Sequence, residues 1–396
     1  MNKGNLLKYK IYYTILILGI YILGRGIPLY NVDVKAYSEV TLDAQSVMMQ
    51  VISGDRYRYS LLALGISPYM ISTILVQMVM FAMKGVSKKK VLPSRVNTIT
   101  AFVMLVFSTA QAISRVGSMH YLPGSDPLMS KCIDVVEMVT GAAFIVWLLK
   151  RNKKYGIGGQ TSIIFVNILD SIVTSITKNP VSQVLLPLAI AIPLMLIMLI
   201  LENAEYRIPV QRISIHNIFS DQDYIAIKLN PIGAMPIMFA MSVFMLPQLI
   251  VSGLLLIFPG DPDLMWTLEN LVLSRPLGIA VYVAILYLLT MLFSFITINP
   301  GDLTENLLKS GDSIINIRAG KHTKKYLTKR LFRISVFSAT VMSVCIGFPL
   351  VLQLLGIMSS SAAIIPSTGM MLVGIWTSIY QEILAIRSFD SYEAFL

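Results

Sequence analysis

Residues 334–381 read ISVFSATVMSVCIGFPLVLQLLGIMSSSAAIIPSTGMMLVGIWTSIYQ and contain no Asp, Glu, Lys or Arg. A helix needs about 20 predominantly apolar residues to cross a bilayer, so this stretch is long enough to cross twice. The turn falls in the neighbourhood of Gly356 and Ser359, Ser360 and Ser361. The rest of the chain follows the same composition: 55% of the 396 residues are hydrophobic and 13% are charged, against about 25% charged in soluble domains. That excludes a water-soluble domain. Cys132, Cys345, His120, His216 and His322 are too few to build a disulfide framework or a zinc site, and no metal or cofactor is expected.

Apolar runs with at most two charges each predict ten spans, at about 11–30, 59–83, 96–114, 132–149, 155–177, 179–201, 229–258, 276–298, 334–354 and 357–381. An even number puts both termini on one side. The loops on that side hold 24 of the 32 Lys and Arg, and the opposite loops hold seven, so the positive-inside rule places both termini in the cytoplasm of a multi-pass plasma-membrane protein. Because the basic residues sit in separate short loops, the net charge of +11 is accounted for by topology and nucleic acid is not expected as a partner. Residues 299–333 carry eight Lys and Arg, more than orientation requires, and are expected to meet an acidic or large partner. The first apolar run follows Lys3, Lys8 and Lys10 without a small-residue cleavage site after it, and reads as a retained span.

The expected fold is an all-α polytopic membrane protein whose ten helices divide at Asn179 and Pro180 into halves 1–178 and 179–396. Five spans per half is odd, which gives the halves opposite topology, as in inverted-repeat membrane proteins. Residues 42–58, too short and too charged to span, read either as a surface amphipathic helix or as a half-helix lining a cavity. Charges inside spans are costly. Asp134 and Glu137 lie near a helix end and are expected to snorkel; Arg25 and Asp170 lie deeper and are expected to find partners in the bundle.

Chemistry-bearing motifs are scarce. The phosphate loop GxxxxGK[ST] and HExxH are both missing from the sequence, and the Gly-x-Ser at residues 65–67 has no histidine within any span to act as base. No enzymatic activity is expected. Helix breakers recur instead, with Gly65 and Pro68 in LGISPYMISTILVQ (64–77) and Pro231, Gly233 and Pro236 in LNPIGAMPIMFA (229–240). Such residues at membrane depth kink a packed helix or border a cavity.

These two segments, with GIGGQTSIIF (156–165), NPGDLTENLLKSG (299–311) and INIRAGKHTKKYL (315–327), resemble five ordered motifs of the SecY family of protein-conducting channels. The resemblance implies two five-helix halves around an hourglass pore, with a lateral gate between spans two and three and spans seven and eight. It implies a pore ring at Ile66, Met70, Thr161, Phe165, Met238 and Leu372, and a plug at about 44–58 that includes Val47, Met48, Val51, Ile52, Gly54 and Arg58. A narrow apolar ring blocks ions because it offers no ligands to replace their hydration. The cytoplasmic loops 202–228 and 299–333 would dock a motor, through Arg207 and Arg212 in EYRIPVQR and through Arg318, Lys321, Lys324 and Lys325.

Gly159-Gln160 stands where the family has Asn-Gly, Ala319 replaces a proline, and little chain follows the tenth span. This drift is similar to the accessory SecY of Gram-positive accessory Sec systems. It implies export of unfolded secretory polypeptides, in particular large serine-rich glycoprotein adhesins. The implied partners are an accessory SecA-type motor ATPase, a SecE-type small membrane subunit, other accessory Sec proteins and membrane lipid. A housekeeping SecY is the alternative. An inverted-repeat secondary transporter, with Arg25 and Asp170 as coupling residues, is the more remote one.

Overall fold

The computed structural model describes residues 5–33, 59–86, 93–117, 119–122, 126–211, 224–258, 260–360 and 362–392. Ten long helices carry the apolar runs: α1 (Asn5–Gly24), α2 (Ser67–Val86), α3 (Pro93–Val116), α4 (Pro127–Tyr155), α5 (Gln160–Lys178), α6 (Val181–Asn203), α7 (Met235–Ile257), α9 (Pro276–Thr297), α11 (Lys321–Leu354) and α12 (Ile365–Tyr392). Two short helices join them, α8 (Pro262–Asn270) and α10 (Pro300–Ser310). Nine of the described helices are long and apolar enough to span, and the described part of α2, Ser67–Met83, is the shorter tenth. The chain is therefore a multi-span helical membrane protein.

Three boundaries differ from the sequence-based spans, each for a local reason. Residues 59–66 form turns, with Gly65 at φ 56°, and Pro68 sits in the first turn of α2, where its missing N–H costs nothing. Residues 229–234 turn likewise, with Gly233 at φ 67°, before α7 opens on Met235 and Pro236. The ninth span begins far earlier than its apolar run, because α11 continues through the basic loop from Lys321.

That extension has a core of its own. Residues 205–211 (β1) pair antiparallel with 224–228 (β2) in the register Glu205↔Lys228 to Pro209↔Tyr224, and β1 also pairs with 313–314 (β3) through Val210↔Ile314. Ile208, Ile227 and Ile314 from the sheet pack against Leu327, Leu331 and Ile334 of α11. An all-helical reading omits this sheet, which caps one end of the bundle. The alternation of Tyr206, Ile208 and Val210 with Arg207, Pro209 and Gln211 is its sequence signal.

The main apolar cluster runs through the middle of the bundle and draws on α1, α2, α4, α5, α6, α7, α9, α11 and α12. Helix α2 packs on α3 and α7, α7 on α9, α9 on α11, and α12 on α5 and α6.

Candidate functional site

The central cluster is built where the interrupted helices begin. Met70 N–H donates to the carbonyl of Ile66 (3.0 Å), the last residue of the turn that enters α2, so the two stand one turn apart, and both are fully buried. On the facing helix the Met238 N–H reaches Ala234 (3.4 Å) in the first turn of α7, and Met238 is buried as well. Ile66, Met70 and Met238 belong to one cluster, against which Phe165 of α5 and Leu372 of α12 pack half-buried. Phe165 also meets the Trp376 ring, 6.3 Å between centroids. Four helices, α2, α5, α7 and α12, thus contribute these five residues to the same apolar cluster. Thr161 is placed differently. It sits in the first turn of α5, bonds to the Gly158 carbonyl (2.6 Å) and lines a cavity toward the sheet end, together with Met238.

That cavity, about 120 Å³, adjoins the apolar cluster, and of its lining sequence reasoning singled out Thr161, Pro231, Gly233 and Met238 but not Glu202 or Asn230. Glu202 closes α6 there, only 5% exposed, and Asn230 is 1% exposed. Asn230 Nδ2 donates to the Gly233 carbonyl (3.0 Å), whereas Glu202 Oε1 and Asn230 Oδ1 accept no hydrogen bond from the described residues. A Cβ on either Gly233 or Gly374 would stand 2.8 Å from Glu202 Oε1, so bare backbone on two elements makes room for the carboxylate. Lys228 Nζ at the rim donates to Gln381 Oε1 (2.8 Å).

A different chemistry holds the corner formed by α1, α4, α5 and α12. Arg25 Nη2 meets Asp170 Oδ2 at 2.8 Å, with side-chain exposures of 8% and 21%. The two deep charges expected to find partners find each other. One turn away Tyr21 O–H donates to Asn167 Oδ1 (2.9 Å). Nearer the sheet, Thr14 accepts the Ile157 N–H (2.9 Å) and reaches Asn152 Oδ1 (3.1 Å), while Asn152 Nδ2 donates to the Gly159 carbonyl (2.9 Å). Gly158, at φ 75°, turns its N–H toward Glu382 Oε2 of α12 (2.8 Å). Asp134 departs from expectation. It does not snorkel but is fully buried beside Tyr121 and Glu137, while Glu137 accepts the Tyr30 N–H (3.2 Å).

At the sheet end, Arg207, Arg318, Lys321, Lys324 and Lys325 are exposed. The Arg207 guanidinium lies over the Tyr224 ring at 4.5 Å, and Arg330 sits between Tyr206 and Tyr326, so two cations there are stacked on rings. Arg212 and the residues assigned to the plug, Val47, Met48, Val51, Ile52, Gly54 and Arg58, lie outside the described residues. Among the described residues there is no cluster of metal-ligating side chains.

The SecY family model matches residues 60–379, which takes in most of the apolar cluster and its adjoining cavity and the whole sheet. The chain belongs to the SecY family. Within it, an accessory Sec system protein translocase subunit SecY2 from Leuconostoc gelidum subsp. gasicomitatum is 30% identical, covering 100% of this chain and 98% of that one. A SecY2 of the same description from Streptococcus agalactiae serotype III is 32% identical over 98% and 96%. The SecY fold is also that of a solved protein-conducting channel, with a TM-score of 0.69 at 17% identity over 97% of this chain and 93% of that one. It is shared as well by Sec61 in the canine ribosome-channel complex from the endoplasmic reticulum, at 0.64 and 16%, covering 97% of this chain and 93% of that one.

Proposed function

We propose that the chain is the pore-forming subunit of an accessory Sec translocase, a plasma-membrane channel with cytoplasmic termini through which unfolded secretory polypeptides leave the cell. The observation that carries this reading is the apolar constriction. Ile66, Met70, Phe165, Met238 and Leu372, from helices of both proposed halves, 1–178 and 179–396, share one apolar cluster next to a cavity that Glu202 and Asn230 line, which supports reading them as the ring of a pore. A ring of this kind seals against ions by dewetting, and unbranched Met lets it adapt to the side chains of a passing chain. With an interior so lined and no nucleotide-binding loop in the sequence, the work comes from outside. A SecA-type motor ATPase would dock on the stacked cations of the sheet end, and a SecE-type subunit would clamp the halves. The named relatives favour an accessory role, and large serine-rich glycoprotein adhesins are the proposed cargo.

Two measurements test this. With cysteine at Met70, a stalled secretory chain is expected to crosslink there; reaction with lipid-phase reagents alone would remove Met70 from the pore. Deleting the gene and comparing all surface and secreted proteins with wild type tests the accessory role. Viable cells lacking one or a few large surface glycoproteins are expected, while lethality with general precursor accumulation would mean a housekeeping translocon. The transporter reading is disfavoured because Arg25 and Asp170 close on each other; it would require that neutralising Asp170 abolish uptake of a small solute.

A further inference from the structure

We propose that α8 is a bilayer-surface anchor, with Met265 and Trp266 seated in the headgroup–acyl boundary at the end of the bundle opposite the sheet. The proposal concerns a part of the molecule that the channel reading does not use. Helix α8 is nine residues long, PDLMWTLEN, and none of them is fully buried. Leu264 and Leu268 are half-buried, while Met265 and Trp266 are 52% and 58% exposed. An unsupported helix of this length would not persist in water, and this one is held in place from both ends. Asp261 caps it by accepting the Asp263 N–H (3.1 Å). Beyond its last turn, Gln248 of α7 donates to the Leu271 carbonyl (2.6 Å), and Leu271 and Leu273 enter the main core. The outward direction of Trp266 is therefore fixed by the fold.

What covers these side chains follows from continuity. Ile250, Leu254 and Phe258 repeat every four residues along α7 and stay 62%, 37% and 59% exposed, as a lipid-facing stripe does. The stripe leads directly into α8, where Met265 and Trp266 extend it past the end of the span. Trp suits that level, since its ring is apolar and its indole N–H is satisfied among headgroups. Beside Trp266 on the helix lie Asp263 and Asn270, polar groups that remain in water. The charge pattern narrows the attachment further. Asp261, Asp263 and Glu269 are acidic, and α8 itself carries no Lys or Arg, the nearest cation being exposed Arg275 at the start of α9, so α8 has no cation of its own to attract anionic headgroups. Apolar burial and the Trp ring hold it, unlike the basic amphipathic helices that bind acidic leaflets.

The chain has three tryptophans, so the Trp147→Phe, Trp376→Phe variant in phosphatidylcholine vesicles leaves Trp266 as the sole indole emitter. The expected result is blue-shifted emission, quenched strongly by lipid brominated near the headgroup, less by lipid brominated near the chain terminus, and little by aqueous iodide. Quenching by iodide without quenching by either lipid would place Trp266 in water and overturn the proposal. Quenching by none of the three would put protein over it and overturn it equally. Should that variant fail to fold, a spin label on Met265→Cys, made with Cys132→Ser, gives a second reading. Greater accessibility to oxygen than to a water-soluble nickel complex is expected, and the reverse order would refute the anchor.

Discussion

Two walls meet around the central apolar cluster, and they are joined differently. Between α2 and α7 the contact is apolar. Met70 and Ile74 face Met238 and Met241 inside one cluster, and the side-chain hydrogen bond found across it is the weak one from Ser67 Oγ to Met245 Sδ at 3.6 Å. At the corner of α1, α4, α5 and α12 the contact is polar and directional, with Arg25–Asp170, Tyr21–Asn167, Thr14–Asn152 and Gly158–Glu382. Apolar packing inside a membrane has little preference between a neighbouring helix and lipid, so the first wall can part without leaving a polar group stranded. The second cannot part as freely, because separation would strand the buried Tyr21–Asn167 bond and the Arg25 guanidinium, which is only 8% exposed. The apolar seam between α2 and α7 lies where the SecY resemblance expects a lateral gate, and under the proposed function it is the wall suited to open.

The comparison fails most visibly if the polar corner proves dispensable. Replacing Asp170 with Ala strands the Arg25 guanidinium, which is only 8% exposed. The expected loss is about 3 kcal/mol, read by denaturant titration of the purified protein in mixed micelles. A loss under about 0.5 kcal/mol, the level of an ordinary surface change, would mean that the ion pair does not hold α1 to α5.

Next in size is Gly158→Ala. The residue sits at φ 75°, and a Cβ there would overlap Ser162 Oγ, which itself donates to the Ile157 carbonyl (2.6 Å). Left-handed backbone and a displaced hydroxyl together are expected to cost about 2 kcal/mol. Tyr21→Phe follows at about 1 kcal/mol, typical of one interhelical hydrogen bond in a membrane protein. If Tyr21→Phe cost more than Asp170→Ala in the same titration, the order of importance within the corner would be reversed.

How much of this was legible in the sequence depends on the kind of signal. Continuous apolar runs mark a span whatever its partners, so the helices were readable, and the depth of Arg25 and Asp170 showed that each needs a partner, though not that they meet each other. The starts of α2 and α7 were not readable, because Ile66 and Asn230 look equally apolar-adjacent whether they lie in a helix or in a turn tied down by Gly65 or Gly233. Asp134 was misread since its position near a helix end suggests water, whereas Tyr121 reaches it from a distant segment. Of the cavity, the breaker Gly233 was readable, but Glu202 and Gly374 were not, as they lie far from it in the chain and meet it only by tertiary packing. The sheet was the avoidable omission, with its alternation present in EYRIPVQ.

The smallest expected effect is on the seam itself. Ser67 is 2% exposed and its hydroxyl points at the Met245 sulfur, a weak acceptor. Ser67→Ala removes that contact and leaves no strong acceptor unpaired, so stability is expected to change by less than about 0.5 kcal/mol in the titration used for Asp170→Ala. The same variant should leave the constriction intact, since Ile66 and Met70 keep their neighbours. A loss approaching the roughly 1.7 kcal/mol seen for the strongest interhelical hydrogen bonds in membranes would show Ser67 to be a latch. The two walls would then differ in degree only, and parting α2 from α7 would require breaking a directional bond that Met245 holds from the opposite helix.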